Sequence, residues 1–210
     1  MTDYTIFYKK TLPLDKDWSR EEDWDIFISA YNSSDRVRNV FARAQATTKH
    51  WLILPDYDYS HEEHPPGEAF AMRARQESEF ILAYAEKYEL KLPGQRVCVD
   101  ITGFIKPYMM FLLKWLMQNG VNKFDVLYSE PDYYAQKEET KFSDEEVLNV
   151  RQVTGFEGIH IPNTSNDILI IGAGYDNELI AQVAESKDNS RKIQLFGLPS
   201  LRPEMYQENP

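Results

Sequence analysis

One cysteine in 210 residues rules out a disulfide framework, and a chain of this length buries enough apolar surface to need none. Cys98 lies in the apolar run Val97-Cys98-Val99. That is the setting of a small buried hydrophobe, whereas a reactive thiolate needs an exposed, electropositive one. Long apolar runs are also missing: the most apolar stretch, Pro107 to Met117, is too short for a bilayer span and carries Lys114 within it. Basic residues are in deficit, 23 Lys and Arg against 34 Asp and Glu, for a net charge of -11. Such a chain repels phosphate backbones and anionic membrane surfaces, so neither non-specific nucleic acid nor a membrane is expected as a partner. Met1-Thr2-Asp3-Tyr4 does not resemble a secretory signal, and the expected compartment is the reducing cytoplasm. The phosphate-cradling Gly-x-x-x-x-Gly-Lys-Ser/Thr loop and the Gly-x-Ser-x-Gly nucleophile elbow are both absent from the sequence.

What is present is a succession of short apolar or β-branched runs: Trp24 to Ser29, His50 to Leu54, Arg96 to Ile101, Phe124 to Ser129, Asp167 to Ile171 and Lys192 to Phe196. Most are nearly continuous in apolar character, as strands buried on both faces of a parallel sheet are. Helical segments separate them. Ser34 caps one from about Asp35 to Ala44; Pro66 opens a long one to about Tyr88; Lys106 or Pro107 opens a third that ends at Gln118 before Gly120; and a fourth spans Asn177 to Ser186 after a cap at Asp176. The alternation predicts an α/β fold of Rossmann-like type, three layers with a doubly wound, mostly parallel sheet of about six strands. The whole chain, 1–210, reads as a single domain, and its ending without a strand or helix terminator is compatible with the N-terminal part of a longer polypeptide.

Ligands of open α/β sheets bind in the crevice at the carboxyl ends of the strands, near the point where strand order reverses. The residues after each strand are therefore the candidates. Asp100-Ile101-Thr102-Gly103 precedes a helix start, where free N–H groups favour phosphate or carboxylate; Asp100 would hold a ribose hydroxyl or polarise a water, or, with Thr102, simply cap the helix. Tyr128-Ser129-Glu130 places a carboxylate beside an aromatic ring, so that Glu130 becomes an acid, base or ribose contact if water is kept from it. Ser29 and Ser33 complete the candidate ligand-binding set of Ser29, Ser33, Asp100, Thr102, Gly103, Tyr128 and Glu130. Two connections are longer than the fold requires, Asp56 to Pro66 and Pro131 to Asn166, and long loops often carry function.

Other signals are weaker. Gly172 and Gly174 supply the first two glycines of a dinucleotide fingerprint but not the third, and are read as a tight strand-to-helix turn. His61-Glu62-Glu63-His64 lacks the His-Glu-x-x-His spacing of a helical zinc site, and no metal is expected.

The segment Trp24-Asp25-Ile26-Phe27-Ile28-Ser29, followed by a polar loop and a helix, resembles the opening box of Toll/interleukin-receptor (TIR) domains. The resemblance covers about fourteen residues. It implies a flavodoxin-like sheet and either protein–protein assembly or cleavage of NAD at the nicotinamide glycosidic bond. The Ser-x-x-Trp-x-x-x-Glu setting of the enzymatic members is not found; Glu77 and Glu79 are the nearest replacements. Asp100-Ile101-Thr102-Gly103 is also similar to the Thr-Gly strand end of Rossmann-like ligand sensors of prokaryotic antiviral systems, which implies nucleotide recognition.

The expected function is that of a nucleotide-recognising module in a signalling or antiviral defence system, with a small-molecule nucleotide, NAD or another, as ligand. The enzymatic alternative is an NAD or nucleoside glycohydrolase, with Glu130 or Asp100 as catalytic carboxylate. A third reading is a ligand-free interaction module, with Tyr133, Tyr134 and Trp115 facing a protein partner or a second copy. No resident cofactor is indicated.

Overall fold

Strands that are apolar along their whole length need cover on both faces, and helices supply it. The computed structural model describes residues 11–13, 18, 23–130, 151–158, 163–173 and 177–196. The chain divides into two units, Met1–Asp132 with Val153–Gly155, and Tyr133–Gln152 with Phe156–Pro210.

The first unit runs β1 (Trp24–Ala30), α1 (Asp35–Arg43), β2 (Ala46–Ile53), β3 (Ala69–Ala71), α2 (Glu77–Lys87), β4 (Val97–Asp100), α3 (Lys106–Gln118) and β5 (Asp125–Leu127). Its five strands form one all-parallel sheet in the order β3-β2-β1-β4-β5. Side chains alternate across the central strand. Ile26, Ile28 and Ala30 pack with Phe80, Ile81 and Tyr84 of α2 and with Tyr108, Leu112 and Leu116 of α3. Phe27 points the other way, toward Val40 of α1 and Cys98. The result is the expected three-layer, Rossmann-like α/β arrangement, with the strand order reversing between β1 and β4.

Local chemistry explains the helix ends. The Ser34 hydroxyl accepts from Arg36 N at 3.3 Å and opens α1. Pro107 lies in the first turn of α3, and Gly120, at φ 87°, turns the chain just beyond its end. Trp24 Nε1 donates to Asp125 Oδ2 at 2.8 Å, pinning the start of β1 to that of β5.

Two expectations are corrected. The segment from Pro66 to Tyr88 is not one helix: Gly67 takes φ 95°, β3 pairs with β2 through Leu52↔Phe70, and α2 begins only at Glu77 after an extended Gln76. The sheet holds five strands rather than six, because the last two expected strands pair with each other. They form the second unit's β6 (Ile168–Ala173) and β7 (Arg191–Phe196), parallel and joined by α4 (Asn177–Glu185). The cap position Asp176 lies outside the described residues. Without β3, a short edge addition that no α-helix separates from β2, the order is β2-β1-β4-β5, that of a flavodoxin-like sheet. Unrelated proteins share this order, so it carries no argument for a family. Among the described residues no helix is long and apolar enough to cross a membrane.

A buried carboxylate fastens a returning segment to the first unit. Glu77, fully buried at the start of α2, accepts from Thr154 N at 2.6 Å through Oε1, and Lys114 Nζ donates to the Gly155 carbonyl. Glu77→Ala orphans the Thr154 N–H and is expected to cost about 1–3 kcal/mol in chemical denaturation. Glu77→Gln keeps an acceptor and should recover much of that loss.

Candidate functional site

Parallel strands β1 and β4 pair Ser29 with Asp100, which places the two side chains together at the point where strand order reverses. Both are fully buried. The Ser29 hydroxyl donates to Asp100 Oδ2 at 2.9 Å, and Thr102 N donates to Oδ1 at 3.0 Å. The Thr102 hydroxyl also bonds to the Asp100 carboxylate and accepts from Ser129 N at 2.9 Å. Arg36, from the first turn of α1, donates through Nη1 to the Ser129 carbonyl at 2.8 Å. One connected network therefore ties together the loops after β1, β4 and β5. Burial pushes the Asp100 pKa above its ordinary value, while the bonds from Thr102 and Ser29 and the charge of Arg36 pull it back.

Gly103 marks a close approach of the loop after β4 to the end of β1. A Cβ there would lie 2.1 Å from the Ala30 carbonyl oxygen and 3.3 Å from Val37 Cγ2, so only glycine lets the β4–α3 loop pass this close to the end of β1. The Gly103 carbonyl accepts from the Tyr57 hydroxyl at 2.9 Å. Burial raises the Tyr57 pKa, and a hydrogen bond from Asn32 offsets part of the rise. Ser33 is exposed and donates its N–H to the Tyr59 hydroxyl at 3.1 Å. The long loop after β2 is thus folded onto the loops after β1 and β4.

Five of the seven candidates, Ser29, Ser33, Asp100, Thr102 and Gly103, fall in or beside this bonded cluster. Tyr128 is 58% exposed and Glu130 is also exposed. Among the described residues no hydrogen bond or ion pair joins either to the network, and no described residue shields Glu130 from water. Glu77 is the buried tether described above, and Glu79, in the first turn of α2, accepts from Arg75 N at 3.0 Å. Trp115 packs, half-buried, against the core; Tyr133 and Tyr134 lie outside the described residues. Sequence reasoning missed Arg36, Asn32 and Tyr57. Arg36 reaches a carbonyl 93 residues away, and no local pattern marks such a contact.

Gly172 reads differently in three dimensions. Gly172 sits within β6, without a left-handed backbone and with open space where a Cβ would go, so no tight turn requires it. Gly174 lies outside the described residues. The His61 and His64 rings lie 5.3 Å apart on and after a short 3-10 turn, and among the described residues no group of three His, Cys, Asp or Glu side chains is placed to hold a metal ion.

The chain matches no protein-family model, no curated protein and no solved structure.

Proposed function

We propose that this protein is a nucleotide-recognising Rossmann-like module that binds its ligand at the carboxyl ends of the sheet without cleaving it. The observation that carries the reading is the closed network at the strand-order reversal. Both Asp100 oxygens are engaged by Ser29 and Thr102 inside the protein. A carboxylate that stabilises charge on a reacting ribose has to face the ribose, and Asp100 faces its own strand ends. Glu130 is exposed, and nothing among the described residues holds it in place. A rigid, internally satisfied floor suits recognition, because little order is lost on binding. The setting, a signalling or antiviral defence system, rests on the resemblance of the Asp100-Ile101-Thr102-Gly103 strand end.

A thermal-shift panel of NAD, ATP, ADP-ribose, nucleosides and cyclic oligonucleotides tests this reading, with the hit mixtures assayed for free base or nicotinamide. The expected result is a ligand-specific rise of roughly 5 °C at hundredfold saturation, with no product over time. Steady release of nicotinamide or base would make the protein a glycohydrolase. No shift with any compound would move the account to a protein-binding module.

A further inference from the structure

The parallel pair β2 and β3 ends in a concave feature. Ile53 and Ala71 are register partners and the last residues of their strands. Beyond them opens a cleft of about 280 Å³ with an apolar floor that includes Ile53, Leu54, Pro55 and Met72. Its rim carries Asp58, Tyr59, His61, His64 and Arg73. We infer that this cleft seats a single ribonucleoside 5′-phosphate, with the base against Tyr59 and the floor, the ribose hydroxyls on Asp58, and the phosphate on Arg73. The inference rests on the nucleotide-recognising reading and says where on the sheet the ligand lies: beside β2 and β3, flanking the network at Asp100 and not replacing it.

The loop is acidic, but the donors that line the cleft suit an anionic group. Of the five carboxylates between β2 and β3, Asp56, Asp58, Glu62, Glu63 and Glu68, only Asp58 lines the cleft. Asp56 accepts from the Tyr108 hydroxyl at 2.7 Å. Glu63 is held in a capping box by Ser60, whose N and Oγ donate to Oε2 at 2.9 and 2.8 Å. Against one carboxylate stand a guanidinium and two imidazoles, so in a chain of net charge -11 the cleft offers a local surplus of donors. A guanidinium fork matches phosphate oxygens, and a carboxylate accepts from a ribose diol.

The aromatic wall is fixed in advance. Tyr59 stacks on Tyr57 with centroids 5.5 Å apart, meets Tyr31 edge-on at 5.5 Å, and is bonded at its hydroxyl by Ser33 N. A ring pinned in this way gives up little freedom on stacking with a base. Asp58 adopts a left-handed backbone, φ 48° and ψ 35°, between the 3-10 turns Pro55–Tyr57 and His61–Glu63, which turns the chain around the cleft mouth. The volume falls just below the roughly 300–1,000 Å³ typical of small-molecule pockets. A cleft of that size matches one nucleotide better than a dinucleotide.

The test is calorimetric titration of the full chain with the 5′-monophosphates of the four common ribonucleosides, the parent nucleosides, inorganic phosphate and NAD. Wild type, Arg73→Gln and Tyr59→Leu are compared, each checked for a native melting transition. Arg73 is exposed, so Arg73→Gln should fold even if Tyr59→Leu does not. The expected result is saturable binding of a monophosphate that Arg73→Gln weakens about tenfold or more, leaving the parent nucleoside unaffected; Tyr59→Leu weakens both. Nucleotide binding unchanged in both variants would overturn the cleft assignment while leaving the broader reading intact. NAD binding far tighter than any monophosphate would overturn the single-nucleotide limit, and no nucleotide binding by wild type would overturn inference and reading together.

Discussion

Gly103→Ala is expected to destabilise the first unit by about 3 kcal/mol or more, the upper end of overpacking costs. The methyl group would meet the Ala30 carbonyl oxygen at 2.1 Å, and the obstacle is backbone of the central strand, not the end of a flexible side chain. Relief requires the β4–α3 loop to lift from β1, which would also strain the Tyr57 hydrogen bond to the Gly103 carbonyl. Gly172→Ala is the matched control: nothing lies within 4 Å of a Cβ there, and the change should stay within about 0.5 kcal/mol. Tryptophan fluorescence follows the denaturation of Gly103→Ala, because Trp18, Trp24, Trp51 and Trp115 all belong to the first unit, and far-UV circular dichroism follows that of Gly172→Ala, which lies in the second unit. Equal stability of Gly103→Ala and wild type would mean that the two loops do not pack as described.

The second large effect belongs to Asp100. Alanine there strips the acceptor from the Ser29 hydroxyl and from Thr102 N–H deep in the sheet, at a cost of about 3 kcal/mol for the orphaned donors. Asparagine keeps one oxygen for Thr102 N–H and an amide for the Ser29 oxygen, while removing a buried charge, so Asp100→Asn should cost much less. Its pH dependence has a definite sign. Burial raises the Asp100 pKa in the folded protein, and a carboxyl with a raised folded-state pKa favours folding most fully below its unfolded value of about 3.9. That contribution is lost as pH climbs through the folded-state value. Wild type should therefore lose stability relative to Asp100→Asn as pH rises from about 4 into the range just above it. A gain by wild type over that interval would contradict the assigned burial.

Much of the fold was legible because its signals are local. Ser34, Pro107 and Gly120 mark helix ends where the structure has them, and the runs around Phe27 and Val99 are apolar enough to require a sheet covered on both faces. β3 escaped notice because Ala69-Phe70-Ala71 carries one aromatic and no β-branched residue; its pairing with β2 is a tertiary fact. The amino-terminal half of β2, Ala46 to Lys49, was missed for a related reason, since it is exposed or only half-buried and mostly polar. At the site, Ser29, Asp100, Thr102 and Gly103 could be named because strand ends in such folds converge. Arg36 and Tyr57 could not, since each acts on a backbone carbonyl distant in sequence. The loop after β2 stood out by its length, but no local pattern marks Tyr57 and Tyr59 within it or Arg73 just beyond β3.

The central claim is that the carboxyl-end surface of the five-stranded sheet recognises a nucleotide. The most direct test is an amide-resolved NMR titration of the labelled protein with whichever nucleotide gives the largest thermal shift. Saturable perturbations are expected at Ser33, Thr102, Gly103 and the loop from Tyr57 to His64, with little change at Arg96 or Gly120. No saturable change with any nucleotide, or changes confined to residues away from the carboxyl ends, would contradict the account.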